Sequence, residues 1–109
     1  MASVSGKPPE LSIQTPNGKI QHVALERDRY EVGRAESNAL CFQDVVGLSR
    51  KHLVFERNGA NWMVRDLGST NGTFVNGARL TDGKVLRSKD RVNVGELTII
   101  FNEGTVPSM

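Results

Sequence analysis

The stretch DLGSTNGTFVNG, residues 66–77, contains three glycines and two Asn-Gly pairs. An Asn-Gly pair between apolar residues is the strongest short signal for a β-hairpin turn. The second pair, Asn76-Gly77, fits that interpretation because it separates two short strand-like runs. The first pair, Asn71-Gly72, stands only five residues earlier, and one reversal does not need both. The loop from Gly68 to Thr73 therefore needs an explanation other than a change of chain direction.

Around this stretch, apolar and polar residues alternate with a period of two, which indicates β-strands. Turn sequences at residues 16–19 (PNGK), 58–61 (NGAN) and 76–77 predict three hairpins. No segment carries an apolar face with helical spacing. Many short strands of this kind predict an all-β, antiparallel β-sandwich, in which function sits on loops clustered at one end. The residues expected to point into its core are Leu11, Ile13, Leu40, Phe42, Trp62, Val64, Val92, Val94, Leu97, Ile99 and Phe101.

Bulk composition limits the classes of protein to which the chain can belong. Its 109 residues suit one domain with one hydrophobic core. We expect this domain over residues 10–103, because residues 1–9 and 104–109 are small, polar and proline-bearing, as flexible tails are. A net charge of +2 is too small to indicate nucleic acid binding, and the aromatic residues mostly take core positions. No apolar run approaches the roughly 18 residues of a membrane span, so no membrane partner is expected.

The cysteine and histidine content predicts neither a disulfide nor a metal site. Cys41 is the only cysteine, so it forms no intrachain disulfide, and its apolar surroundings predict a buried thiol. Two scattered histidines and one cysteine do not supply a metal-ligand set. We therefore expect no cofactor and a reducing, cytoplasmic environment, with the nucleus an alternative for a eukaryotic protein. We also expect the isolated domain to be a monomer.

Two loops before the opening stretch carry side chains suited to an anion. In VGRAESN (32–38), Arg34 follows a glycine at a strand end and can offer two donors to a phosphate or carboxylate. In GLSRKH (47–52), the hydroxyl of Ser49 lies beside basic residues, and the two together can hold an oxyanion. Each signal alone is weak, because the first segment also fits a solvated surface arginine and the second also fits an ordinary polar loop.

The loop after Gly68 adds Thr70 and Asn71 to this set. Glycines let backbone N–H groups turn toward a ligand, and the Asn71 amide can both donate to and accept from a peptide backbone. A tight turn with internally satisfied side chains is the simpler alternative for this loop. For Asn76-Gly77 we favour that simpler interpretation.

An enzyme is a weaker interpretation of the same residues. Ser49 and His52, with Asp66 as an orienting acid, have the residue types of a catalytic triad. However, no nucleophile-elbow or oxyanion-hole sequence surrounds Ser49. A basic cluster beside a serine binds an anion more naturally than it activates a nucleophile, so we expect no catalytic residues. His52 is expected to hydrogen-bond nearby backbone and hold its loop.

Taken together, GR (33–34), LSRKH (48–52) and DLGSTNGTFVNG (66–77) resemble, in order and spacing, a forkhead-associated (FHA) domain. The resemblance covers about residues 10–103. It implies a β-sandwich of about eleven strands that binds phosphothreonine peptides. It further implies a non-catalytic module in Ser/Thr-kinase signalling that recruits or scaffolds phosphorylated protein partners.

The resemblance also implies roles for individual residues. Arg34 and Ser49 would hold the phosphate, and Thr70 would support the phosphate or the backbone of its own loop. Asn71 would hydrogen-bond the peptide main chain, and Arg50 would make a further phosphate or peptide contact. The residues expected to support the site structurally are Gly33, His52, Gly72 and Asn76.

One position departs from the family pattern. Family members often carry a larger or charged side chain two residues before the motif serine, where the third residue after phosphothreonine is read, and this chain has Gly47 there. A phosphate-independent protein-docking sandwich remains the alternative function. Binding of the chain's own phosphorylated tail is a further hypothesis, for which Thr105 is better placed than Thr15.

Overall fold

A computed structural model describes residues 8–104, and Thr105 lies outside the described residues. The described part forms eleven strands and no helix. None of its segments is a helix long and apolar enough to cross a membrane. The strands are β1 (Glu10–Gln14), β2 (Ile20–Ala24), β3 (Arg29–Gly33), β4 (Leu40–Cys41), β5 (Leu53–Asn58), β6 (Asn61–Asp66), β7 (Phe74–Val75), β8 (Ala78–Arg79), β9 (Lys84–Val85), β10 (Arg91–Val94) and β11 (Leu97–Asn102).

The strands form two sheets that pack face to face. The first sheet has the order β2-β1-β11-β10-β7-β8, and the second has the order β4-β3-β5-β6-β9. The predicted all-β sandwich of about eleven strands is therefore confirmed. Its strand pairs are antiparallel except β3 with β4, which run parallel with Val32 opposite Leu40. Residues 34–39 loop back beside β3 instead of reversing as a hairpin, and this return makes the pair parallel.

The core lies between the sheets and follows the predicted alternation. On β11, Leu97, Ile99 and Phe101 are buried, while the residues between them are partly exposed. The other positions expected to face inward are also buried, except Phe42, which is half-buried and packs against the core. The prediction of a buried Cys41 thiol is wrong, because this residue is only partly buried. It alternates with inward-facing Leu40 on an edge strand, so its side chain points away from the core.

The three predicted hairpins are all present. They join β1 to β2, β5 to β6 and β7 to β8. In the last of them, Asn76 and Gly77 have φ angles of 51° and 86°. Positive φ at both central residues is what a type I′ turn requires, and it favours Asn followed by Gly.

Candidate functional site

Three loops meet at one end of the sandwich and enclose a groove of about 470 Å³. These loops are residues 34–39 after β3, residues 42–52 after β4 and residues 67–73 after β6. Four of the predicted binding residues line the groove, namely Arg34, Ser49, Thr70 and Asn71. Arg50 is exposed but lies outside the lining of this groove. The fold thus brings together side chains that are up to 37 positions apart in the chain.

The backbone beside Arg34 is bonded directly to the Ser49 loop. The Arg34 N–H donates to the Ser49 carbonyl oxygen at 3.0 Å, and the next N–H donates to the Arg50 carbonyl oxygen at 3.1 Å. This approach needs glycine at position 33, since a Cβ there would lie 2.1 Å from the Arg50 carbonyl oxygen. Among the described residues, no acidic side chain forms an ion pair with Arg34. Its exposed guanidinium therefore keeps its donors for a ligand.

Asn38 fixes the same junction and is absent from the sequence-based prediction. Its side-chain amide is buried and donates to the carbonyl oxygens of Ala35 at 2.8 Å and Arg50 at 2.7 Å. These bonds hold the Arg34 loop in a compact turn against the Ser49 loop. A single polar residue in a polar loop gives no signal of burial, so sequence alone could not have identified it.

His52 joins the Ser49 loop to the Asn71-Gly72 loop from beneath. Its imidazole is fully buried, the Ser49 N–H lies 3.0 Å from Nδ1, and the Gly72 carbonyl oxygen lies 2.8 Å from Nε2. A backbone N–H can only donate and a carbonyl can only accept, so Nδ1 is the acceptor and Nε2 carries the proton. The ring is therefore a neutral crosslink between two groove walls.

The hydroxyl of Ser49 is oriented by the facing loop. The Thr70 N–H donates to Ser49 Oγ at 3.0 Å, which occupies one acceptor position of the hydroxyl. The hydroxyl proton stays free to be donated into the groove. Ser49 is thus positioned as a neutral hydrogen-bond donor next to the cationic Arg34.

Asp66 shapes the Gly68–Thr73 loop from inside. One carboxylate oxygen accepts the N–H groups of Gly68 and Ser69, both at 2.9 Å. The other accepts the hydroxyls of Ser69 at 2.5 Å and Thr73 at 2.7 Å. Burial raises the pKa of this carboxyl, but the four hydrogen bonds outweigh burial and hold the pKa below its ordinary value. Ser69 is therefore committed to its own loop, and Thr70 and Asn71 form the exposed tip.

Asn71 bridges this loop to the opposite wall. Its side-chain amide donates to the Gly47 carbonyl oxygen at 3.0 Å while remaining exposed. Gly47 has φ +86°, and a Cβ there would lie 3.0 Å from the Gly95 Cα in the β10–β11 turn. Both the conformation and the close contact favour glycine, which explains why this chain departs from the larger residue that many family members carry.

The groove combines one strong cation and one acid with neutral polar groups. Among the described residues that line it, Arg34 is the only cation and Asp44 is the only acid. Val46, whose side chain is 71% exposed, contributes apolar surface to the same wall. Such a site suits one compact anion attached to a chain that offers backbone hydrogen bonds and apolar side chains.

The same contacts do not arrange Ser49, His52 and Asp66 as a catalytic triad. Nδ1 of His52 is bonded to the backbone N–H of Ser49 and not to its hydroxyl. Its Nε2 bonds the Gly72 carbonyl and lies 4.0 Å from Asp66. The hydroxyl of Ser49 therefore has no base among these residues to remove its proton.

Comparison with known proteins places this architecture in a family. The model of the FHA domain family matches residues 30–95. The glycogen accumulation regulator GarA of Mycolicibacterium smegmatis is 40% identical over 80 residues, which are 73% of this chain and 49% of GarA. An oxoglutarate dehydrogenase inhibitor of Corynebacterium diphtheriae is 38% identical over 80 residues, covering 73% of this chain and 54% of that protein.

Solved structures agree with the sequence relatives. An FHA domain studied for phosphothreonine-dependent FHA interactions superposes with a TM-score of 0.75 at 28% identity, covering 91% of this chain and 99% of that one. The chain spans about half the length of the two curated relatives. The matched family model covers more than half of the chain, and the overall fold superposes on that solved FHA domain. This chain therefore belongs to the FHA domain family.

Proposed function

We propose that this domain binds phosphothreonine-containing segments of protein partners. The observation that carries the proposal is that one groove holds the oriented Ser49 hydroxyl and the Arg34 guanidinium, which forms no ion pair among the described residues. A phosphate dianion accepts charge-assisted hydrogen bonds from a guanidinium and a further bond from a hydroxyl. Membership of the FHA family, with a solved relative studied for phosphothreonine-dependent interactions, supports the same ligand.

Each residue of the groove then has a distinct role. Arg34 pairs with the phosphate, and Ser49 donates its hydroxyl proton to a phosphate oxygen. Thr70 holds Ser49 through its N–H and faces the phosphate with its own hydroxyl. Asn71 bonds the peptide main chain and aligns it along the wall that ends at Gly47. Arg50, which lies outside this groove, would meet a flanking acidic group or the outer face of the phosphate.

The proposal makes the domain a recruitment module and not an enzyme. A partner phosphorylated by a Ser/Thr kinase would bind and so be recruited to this protein. The functional unit would span residues 10–103, the range that holds all eleven strands. We expect it to work in the cytoplasm, where such kinases and their substrates meet.

The decisive experiment is calorimetric titration with three versions of one peptide, carrying phosphothreonine, phosphoserine or unmodified threonine. We expect Arg34→Ala to weaken phosphothreonine binding by about a hundredfold or more, because two charge-assisted bonds worth about 1.5–3 kcal/mol each are lost. Arg57→Ala is the matched control, since this exposed arginine lies at the far end of β5 and pairs with Asp28. It removes the same charge and should leave affinity unchanged.

Two outcomes would overturn the proposal. Equal binding of the phosphorylated and unmodified peptides would show a phosphate-independent docking sandwich instead. Unchanged affinity of a folded Arg34→Ala variant would show that the phosphate binds elsewhere.

A further inference from the structure

A second groove lies next to the proposed phosphate site. It has a volume of about 680 Å³ and runs between the β1–β2 hairpin and the segment after β4. Three residues, Gln43, Asp44 and Val45, line both grooves. The two grooves are therefore neighbouring parts of one surface, separated only by this short segment.

The second groove is the more apolar of the two. Ile20 is 60% exposed within it, although the large aliphatic residues of the neighbouring strand β1 are fully buried. Half-buried Phe42 adds to this apolar surface, and Val45, although only 6% exposed, lines both grooves. One exposed aliphatic residue is ordinary on a protein surface. Here it lies with other apolar side chains in a concave groove beside a binding site.

Edge strands flank this groove on both sides. β2 ends the first sheet and β4 ends the second, so each strand has one edge that no neighbouring strand of the described chain pairs. An extended peptide can use such edges for backbone hydrogen bonds while placing alternate side chains in a pocket. The groove thus offers both kinds of contact that an extended segment needs.

We propose that the phosphorylated partner occupies both grooves at once, with an aliphatic or aromatic side chain of the same segment bound against Ile20 and Phe42. This inference rests on the proposed phosphothreonine function and specifies its partner class. Once the phosphate is held, the second contact is intramolecular and gains from a high effective concentration. The domain would then select partners by phosphorylation together with an apolar residue several positions away.

The test uses two peptide pools with a fixed central phosphothreonine. The long pool has about six randomised residues on each side, enough to span about 20 Å when extended, and the short pool has about two. Wild-type domain should enrich aliphatic or aromatic residues at distal positions of the long pool. Ile20→Glu should reduce that enrichment about tenfold, the effect of losing one buried aliphatic contact. It should bind the short pool like wild type.

Val85→Glu is the matched control, because Val85 is also exposed on an edge strand but lines neither groove. Val85→Glu should retain the distal selection. Ile20→Ala, which adds no charge, should lose it. Unchanged distal selection by folded Ile20→Glu, or none by wild type, would overturn the second-groove proposal alone. A change in sedimentation on Ile20→Glu without a change in selection would show a self-association face and also overturn it. Loss of any preference for phosphothreonine over threonine pools would instead overturn the proposed function itself.

Discussion

The two Asn-Gly pairs of this chain have the same sequence but different structures. At Asn76-Gly77 both residues have positive φ, and the asparagine side chain bonds Asp90 and the Arg91 N–H within the same sheet region. At Asn71-Gly72 only the glycine has positive φ. The Asn71 side chain crosses to a different loop and bonds the Gly47 carbonyl.

The difference comes from what surrounds each pair. The second pair forms the turn between its own two strands and also bonds the start of the neighbouring strand β10, so the geometry of the sheet determines its conformation. In the first pair, His52 bonds the Gly72 carbonyl from the core, and Asp66 holds the residues on either side of the pair. With its backbone held by other parts of the chain, Asn71 is exposed at the tip of a loop. An identical dipeptide thus forms a structural turn in one place and a binding loop in the other.

Of the variants considered, His52→Ala should have the largest effect, because His52 holds the Asn71-Gly72 loop against the Ser49 loop. The variant leaves the half-buried Ser49 N–H and the buried Gly72 carbonyl without partners and opens a cavity, so we expect the free energy of unfolding to fall by about 3 kcal/mol or more. Phosphopeptide binding should weaken indirectly as the two loops separate. Thermal melts and titrations would measure both effects. The control, His22→Ala, alters an exposed histidine and should cost less than about 0.5 kcal/mol.

Replacing Asn76 with alanine should affect stability alone. Alanine tolerates φ of 51° poorly, and two side-chain hydrogen bonds are lost, so we expect a destabilisation of about 2 kcal/mol. Asn76→Gly keeps the conformation and should recover part of this loss. Chemical denaturation measures the change. A loss of peptide affinity in a folded Asn76→Ala variant would contradict the assignment of this turn to structure.

Replacing Asn71 with alanine should have the opposite profile. We expect peptide affinity to fall about tenfold, or about 1.4 kcal/mol, because the main-chain contact of the peptide is lost. The free energy of unfolding should change by less than about 1 kcal/mol, since only one solvent-exposed hydrogen bond, to the Gly47 carbonyl, is lost. Titration and denaturation of this variant beside Asn76→Ala would show two opposite patterns. Equal patterns would contradict the distinction between the two pairs.

Low pH should lower the stability of the fold at both turns, because an aspartate carboxylate accepts hydrogen bonds at each of them. Burial raises the pKa of Asp90, but hydrogen bonds from the Arg87 N–H and the Asn76 amide outweigh it, so this pKa, like that of Asp66, lies below its ordinary value of 3.8. Both carboxylates therefore stabilise the fold fully above about pH 4. This contribution is lost as the pH falls through their folded-state pKa values, because the unfolded chain then binds the extra protons.

Denaturation across this acid range would test the linkage with one variant for each turn. Asp66→Asn and Asp90→Asn should each flatten the decline in stability toward low pH. At neutral pH, only Asp66→Asn should also weaken peptide binding, because Asp66 shapes the binding loop. A decline as steep as that of wild type in both variants would assign the acid sensitivity to other groups.

The sheets were largely predictable because their signals are local. The alternation of Leu97, Ile99 and Phe101 determines which face of β11 is buried, and Asn-Gly pairs mark turns wherever flanking strands surround them. The parallel β3–β4 pair was not predictable, since the two residues of β4 are too few to show a period. The exposure of Cys41 depends on the position of that same strand at the edge of its sheet.

The sequence indicated candidate residues for the site more readily than the residues that support them. Side chains that line the groove, such as Arg34, are chemically distinctive and lie in recognisable motifs. Asp66 did carry a local signal, because an aspartate before Gly-Ser commonly accepts backbone N–H groups in a turn. Considering it only as the acid of a triad misses that role. Asn38 and Gly95 carry no such signal, since their contacts join segments distant in the chain.

The contact between Gly47 and Gly95 restricts how recognition can evolve in this domain. A side chain at position 47 would need an unfavourable φ and would press on the β10–β11 turn, while a Cβ at position 95 would lie 2.6 Å from the Val46 carbonyl oxygen. A charged residue at position 47 therefore cannot be acquired in a single mutational step without a compensating shift of that turn. Val46 is under no such restriction, because its side chain is 71% exposed on the groove wall. Divergence in peptide preference should pass first through position 46, while the two glycines persist together.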